Sequence, residues 1–367
     1  MIRCRSCLIP DTRPDTQFTD GICSACLNFQ KRKSIDWSGR GRLLKIALEI
    51  GKNDSGFTCI VPSSGGKDSH YQVLRLIELG ARPLVVTAST CYLTPIGRKN
   101  IDNLARYATT IEFTPQREVR KKLNLLGLET VGDISYPEHL AIFSIPFQAA
   151  VKFGIPLIFF GESPQQEYGC PSGAEEALTM TRRWVAEFGG LLGMRAVDMI
   201  GLNGITAHDM LDYMLPDDDK LQQVTAYFLG QFEPWDSHRN ASVACKAGMN
   251  QTLPSIANWW EAENQDNAMI GLHDHAMYRK YGYGRLAAQL SVDIRNNLVT
   301  RKEALEIAQE RDGVFPWKYM GVPVEEIERH LGITHDQLIQ HLDHFTNWDL
   351  FKTTEDDRPL LREIDNG

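Results

Sequence analysis

Pro62-Ser63-Ser64-Gly65-Gly66-Lys67-Asp68-Ser69 brings hydroxyls, paired glycines, a cation and a carboxylate into one short stretch. An apolar, β-branched run, Phe57-Thr58-Cys59-Ile60-Val61, precedes it, and a helical pattern through Tyr71, Val73, Leu74, Leu76, Ile77 and Leu79 follows it to Gly80. A strand, a Ser/Gly loop and a helix N-terminus make an anion cradle. Glycine lets the backbone approach closely, and free N–H groups at the positive end of the helix dipole attract phosphate. The chemistry this implies is nucleotide handling. A Walker A loop is excluded, because Asp68 rather than Ser or Thr follows Lys67 and no earlier glycine is suitably spaced. The alternative is an ordinary glycine turn capped by Ser64 or Asp68.

A second stretch has metal-ligand spacing. Cys4-x2-Cys7, fifteen residues, then Cys23-x2-Cys26 matches a four-thiolate zinc pattern. Each CxxC makes a knuckle presenting two thiolates, and two knuckles close a tetrahedron. Pro10, Pro14, Asp20 and Gly21 are the turn formers a small ribbon needs. A closed four-sulfur site leaves no open coordination position, so structural Zn2+ is assigned to folding and docking. An iron–sulfur cluster or a redox pair is the alternative. Cys59 reads as a core residue of the first strand.

The elements that must position these residues alternate. Strands are predicted at 57–61, 83–88, 110–113, 156–160 and 224–229, and helices at 40–51, 67–79, 97–107, 116–126 and 136–153. Short apolar strands separated by helices predict an α/β fold, a doubly wound parallel sheet of five strands. Ligands in such sheets gather at the carboxyl ends of the strands, where the 62–69 loop and Gly161-Glu162 both fall. Beyond residue 240 the strand signal fades, and helices are predicted at 301–311, 322–331 and 334–345. The domain reading is a ribbon over 1–33, a connecting helix over 34–56, a nucleotide domain over 57–240 and a mainly helical C-terminal region over 241–367 that makes substrate and partner contacts.

Other polar groups are weaker candidates. Glu162 and Glu167 follow the fourth strand and would face nucleotide, metal or an incoming amine. Gly97 and Asn100 follow the second strand and would contact ribose or substrate. Lys280 and Arg285 lie among tyrosines and glycines, a setting suited to phosphate and to ring stacking. Each also has a plainer reading as a turn, a cap or a surface cation. His273, His275, His341 and His344 read as surface or satisfied histidines. Residues 323–338 have helix-turn-helix character, with Gly332 as a C-cap and Thr334 as an N-cap. Residues 335–345 carry no Arg or Lys, so they read as a helical hairpin packed on the core.

Composition sets the remaining bounds. The chain has 367 residues, 43% of them apolar, eight cysteines and a net charge of −8. It is long enough for a substantial core, and its acidity does not suggest a nucleic-acid surface. No apolar run approaches the roughly 18 residues of a membrane span. The N-terminus has no signal-peptide core. A cytoplasmic enzyme is expected.

With these pieces assembled, Ser64, Gly65, Gly66, Asp68 and Ser69 resemble, residue by residue, the SGGxDS pyrophosphate loop of the PP-loop ATP pyrophosphatases, the adenine nucleotide alpha hydrolase-like fold. The four-cysteine ribbon, CIVPSSGGKDS at 59–69, IPLIFFGESPQQEYG at 155–169 and KYGYGRLAAQLSVDIRNNLVTRKEAL at 280–305 narrow the resemblance to N-acetyl sugar amidotransferases of lipopolysaccharide and flagellin-glycan biosynthesis. That resemblance implies conversion of an acetamido group on an activated sugar to acetamidino. ATP would adenylate the acetamido oxygen, releasing pyrophosphate, and ammonia would displace AMP. It implies Lys67, Asp68 and Glu162 as catalytic groups, with Asp68 also holding Mg2+. ATP and pyrophosphate would lie on Pro62, Ser64, Gly65, Gly66, Lys67, Asp68, Ser69, Ala88 and Gly161. Substrate would reach Asn100, Glu167, Lys280 and Arg285. Ammonia would come from a partner glutaminase together with a (β/α)8-barrel subunit, since no glutaminase nucleophile motif is evident here. A tRNA thiolation enzyme of the same superfamily is the alternative. It would need a reactive cysteine near the sheet's carboxyl edge, for which Cys91 and Cys170 are placed.

Overall fold

The computed structural model describes residues 1–14, 16–161, 179–352 and 359–362. A short hairpin, β1 (Phe18–Thr19) and β2 (Ile22–Cys23), leads into α1 (Ser24–Lys31) and then α2 (Trp37–Ile50). The central layer follows as β3 (Cys59–Pro62), α3 (Lys67–Glu78), β4 (Pro83–Ala88), α4 (Pro95–Leu104), β5 (Thr109–Phe113), α5 (Arg117–Val131), α6 (Tyr136–Phe153), β6 (Leu157–Phe160) and β7 (Thr225–Phe228). The strands form one five-stranded sheet in the order β5-β4-β3-β6-β7, every pairing parallel.

The residues dictate this arrangement. Ile60, Leu84, Val86, Ile158, Ala226 and Phe228 face one side and pack under α5 and α6. Cys59, Val61, Val85, Leu157 and Phe159 face the other and pack under α2 and α3. Successive strand residues point to opposite faces, so strands apolar at every position need helices on both sides. Burying each such side chain contributes roughly 1.5–3 kcal/mol. The strand order reverses at β3, and chain connections leave its two sides in opposite directions. A crevice therefore opens at the carboxyl ends of β3 and β6.

The C-terminal region adds α7 (Ser237–Lys246), α8 (Ile270–Tyr281), α9 (Arg285–Arg295), α10 (Arg301–Arg311), α11 (Val324–Leu331) and α12 (His335–His344). The sequence reading misses α8 and α9; α8 is buried on nearly every face, so no clean apolar stripe marks it. Gly282 separates them at φ +74°, a left-handed cap that ends α8. The backbone at 279–285 runs from the end of α8 into α9 and is largely packed.

The α11–α12 hairpin buries Val324, Ile327, Leu331, Leu338 and Leu342 against Leu128 of α5 and Leu272 of α8. Thr334 caps α12 by accepting the Gln337 N–H. It is a packed hairpin, as the absence of Arg and Lys from residues 335–345 predicts. Among the described residues no helix is long and apolar enough to cross a membrane.

Candidate functional site

β3 ends at Pro62, and the next four residues carry the chain into α3. The Ser63 N–H donates to the Val86 carbonyl at 3.0 Å, which ties the loop to β4. The Ser63 hydroxyl accepts from the Gly65 N–H at 3.0 Å and donates to Ser69 Oγ at 2.9 Å. Ser69 Oγ in turn donates to the Gly66 carbonyl at 3.0 Å. His70 Nδ1 lies 3.0 Å from that same carbonyl, and the Asn103 amide lies 3.1 Å from His70 Nε2. Burial pulls the His70 imidazole below its ordinary value, so the ring is neutral, donating through Nδ1 and accepting through Nε2.

Gly65 sits at φ +83°, and a Cβ there would lie 2.8 Å from the Ile101 nitrogen. Only glycine fits this turn. Gly66 is the N-cap of α3, and no side chain caps it. The first N–H groups of α3 therefore stay available to an anion at the positive end of the helix dipole.

The first turn of α3 carries the charges. Lys67 Nζ lies 2.6 Å from Asp68 Oδ2 and 2.5 Å from Glu263 Oε2, with its side chain only 6% exposed. It also stands 5.6 Å from the Trp260 ring centroid. Asp68 Oδ1 accepts from the Asn240 amide at 2.9 Å. The loop's cation and carboxylate are thus held by α7 and by the 260–263 segment, both far away in sequence.

A cavity of about 420 Å3 opens over this turn. Residues 62–69 line it, so the whole predicted loop faces one space. Ala88 at the end of β4, Gly161 after β6 and Asn100 on α4 line it as well. Residues 262–267 form another wall, in the region assigned to substrate and partner contacts but with no residue singled out there. Asn100 braces the segment that follows α7: its amide donates to the Asn250 carbonyl at 3.0 Å, and its oxygen accepts the Asn250 N–H at 2.7 Å. Gly97 lies against the backbone of Asp266, where an added Cβ would meet Cα at 2.7 Å.

The other predicted substrate residues are placed differently. Lys280 is not among the cavity-lining residues. Its ammonium donates to the Val131 carbonyl at 2.6 Å and lies over Phe345, tying α8 to the end of α5, and burial lowers its pKa. Arg285 also lies outside the lining, with Nε 3.3 Å from Asp274 Oδ1. Glu162, Glu167 and Cys170 lie outside the described residues.

The four cysteines converge. Cys4, Cys7, Cys23 and Cys26 are all buried, with Cys7 and Cys23 sulfurs 3.6 Å apart and Cys4 and Cys26 sulfurs 4.0 Å apart. Tetrahedral Zn–S bonds of about 2.3 Å would put sulfurs about 3.8 Å apart, so the donor set fits one zinc ion. The second CxxC opens helix α1 rather than a second ribbon turn, since Ser24 through Lys31 are helical. The cluster packs against Leu286, Leu290 and Ala304 of α9 and α10. Arg301 Nε reaches the carbonyls of Cys4 at 3.2 Å and Cys7 at 3.1 Å. The site is a clamp on the C-terminal helices.

Cys91 is poorly suited to nucleophilic work. Burial pushes its thiol up to about 11, and its sulfur lies 3.1 Å from His330 Nε2. Burial lowers His330, so that imidazole is a poor source of positive charge for a thiolate.

A polar wall of the cavity escaped sequence reasoning. Ser135, Glu138 and His139 line it at the start of α6, and His139 meets His273 of α8 through Asp133. His273 read as a satisfied histidine, and its partner is 140 positions away. Only the weak feature of polar residues inside an apolar helix start pointed to this wall.

Residues 254–364 match the family model described as LPS biosynthesis protein WbpG-like, C-terminal domain. The match includes Trp260, Glu263, the 262–267 wall and His273. No curated protein matches the chain.

Proposed function

We propose that this chain is an ATP-dependent, AMP-forming amidotransferase that converts an acetamido group of an activated sugar to acetamidino. One observation carries the reading: a Ser/Gly loop at the carboxyl end of the central strand shares its cavity with a wall from the segment that resembles a lipopolysaccharide-biosynthesis family. The loop supplies phosphate chemistry. The matched segment supports a role in building a lipopolysaccharide sugar.

In this reading Ser64, Gly65, Gly66 and the first N–H groups of α3 hold the leaving pyrophosphate. Ser69 and Ser63 hold the loop in shape. Lys67 neutralises developing charge on the departing phosphates while Glu263 and Asp68 fix its position. Ala88, at the end of β4, and Gly161, beyond β6, offer small surfaces where the nucleotide approaches the sheet. Asp68, with Glu263 beside it, would hold Mg2+, which when bound neutralises phosphate charge. An amide oxygen is a poor leaving group until it is adenylated, and this is the reason for consuming ATP. Ammonia then displaces AMP. The chain carries no evident glutaminase motif, so the ammonia comes from a partner glutaminase, with a (β/α)8-barrel subunit as the companion.

The test uses the full chain with ATP, Mg2+ and ammonium. One arm adds a UDP-linked acetamido mannuronic acid and another an N-acetyl nonulosonic acid of the pseudaminic or legionaminic type. The expected result is AMP, pyrophosphate and a product in which NH replaces oxygen, detected by mass spectrometry without glutamine. Formation of ADP in place of AMP, or transfer of sulfur to tRNA, would overturn the proposal.

A further inference from the structure

Asp133 sits in the turn between α5 and α6 and is 2% exposed. Its two oxygens engage different histidines. Oδ1 lies 2.7 Å from Nδ1 of His273 on α8, and Oδ2 lies 3.0 Å from Nδ1 of His139 on α6. Oδ1 also accepts the Ser135 N–H at 2.9 Å. The two rings meet edge to face, with centroids 5.0 Å apart. His139 lines the loop cavity, and with Nδ1 turned to Asp133 its remaining nitrogen is Nε2.

We propose that His139, oriented by Asp133 and backed by His273, accepts the proton released when ammonia displaces AMP. This rests on the adenylation reading above. The atom balance requires such an acceptor. The acetamido oxygen bonds the α-phosphorus of ATP, and the bond to pyrophosphate breaks with its electron pair on pyrophosphate. The ammonia lone pair then forms the C–N bond, and the C–O bond breaks with its electrons on AMP. An amide N–H and neutral ammonia bring four protons on nitrogen, and the amidinium product keeps three. One proton must leave, and Nε2 takes it, giving an imidazolium next to the Asp133 carboxylate.

The surroundings suit that role. Burial pulls the His139 imidazole down, but the Asp133 charge more than offsets this and leaves it above its ordinary value. Glu138 on the same helix also raises it, and Arg285 at the start of α9 lowers it. Burial would raise Asp133, yet the two histidines hold it well below the ordinary carboxylate range. Lys280 of α8 interacts with the same carboxylate. His273 is a positioning residue, since it does not line the cavity.

The experiment compares wild type with His139→Gln, His139→Gly and Asp133→Asn in the two-probe assay. ATP–pyrophosphate exchange without ammonium reads adenylation alone, and amidine formation reads both steps. His139→Gln is expected to lower amidine formation by about 10²–10⁴-fold, more than it lowers exchange, and to remove the rise in rate with pH that wild type shows. Free imidazole is expected to restore part of the His139→Gly activity, which no purely structural role would permit. Asp133→Asn is expected to move the apparent pKa of that rise downward. An unaltered pH profile in His139→Gln overturns the inference alone. A divalent ion that co-purifies with wild type and is lost in Asp133→Asn also overturns it, in favour of a metal site. No exchange in wild type with either probe overturns the adenylation reading and the inference together.

Discussion

Lys67 and Glu263 form an ion pair at 2.5 Å across the cavity, joining the first helical turn after the glycine loop to the segment that matches the lipopolysaccharide family. Nearly 200 positions separate the two residues in sequence. Both residues line the same cavity, so the pair ties the 62–69 loop to the 262–267 wall. Glu263→Gln should therefore weaken the fold and misplace Lys67. The expected stability loss is about 1–2 kcal/mol, below the roughly 3–5 kcal/mol of a wholly buried pair, because Lys67 keeps Asp68. Urea unfolding of the variant measures it, and an unchanged midpoint would show the pair to be incidental.

Asp68 has both oxygens engaged, by Lys67 and by Asn240, yet its side chain is still 23% exposed to the cavity. Asp68→Ala is expected to lower AMP formation by more than about 10²-fold, the usual scale for losing one preorganised electrostatic group. The circular dichroism spectrum should not change. Normal turnover would remove Asp68 from the chemistry.

Gly65→Ala tests the loop itself. The left-handed backbone costs a non-glycine residue about 1–3 kcal/mol, and the new methyl would press on the Ile101 nitrogen. Weaker ATP binding by calorimetry is expected along with lower stability. Full affinity would mean the turn tolerates what its geometry forbids.

The four-cysteine clamp predicts loss of structure before loss of chemistry. Cys23→Ser should release the metal and free the ribbon from α9 and α10, where Arg301 holds it. Metal analysis should fall from one zinc per chain to none, and limited proteolysis should then cut within residues 1–33. A metal-free variant as resistant as wild type would refute the clamp.

The Asp133–His139 pair gives stability a defined pH dependence. His139 is raised above its ordinary 6.5, so its contribution is complete below that value and is lost as pH rises through the higher native one. Asp133 is held below its ordinary 3.8, so its contribution is present above that value and is lost as pH falls through the lower native one. The stability difference between wild type and Asp133→Asn should then be larger at pH 5 than at pH 9. Equal differences at both pH values would show that the pair carries no net charge interaction.

Local signals made much of the fold legible. The apolar runs at Ile60-Val61 and Leu84-Val85-Val86 announce buried strands, because apolar residues at every position of a strand need cover on both faces. The 136–153 and 301–311 helices appear in the structure over the same residues as the sequence predicts. Gly65-Gly66 and the CxxC pairs are equally local, since a tight turn or a metal knuckle is built from neighbours. Helix α8 is hidden because burial on nearly every face erases periodicity. Lys280 looked like a phosphate ligand beside its tyrosines, and folding instead placed it on the Val131 carbonyl.

The strand–loop–helix cradle and the thiolate set are written into neighbouring residues, because covalent spacing and backbone preference act over a few positions. Three meetings arise on folding: Glu263 with Lys67, Asn240 with Asp68, and Asp133 with both His139 and His273. Those meetings depend on how α7 and α8 pack over the sheet. Long-range packing is a cooperative result of the whole core, and no short window of residues contains it.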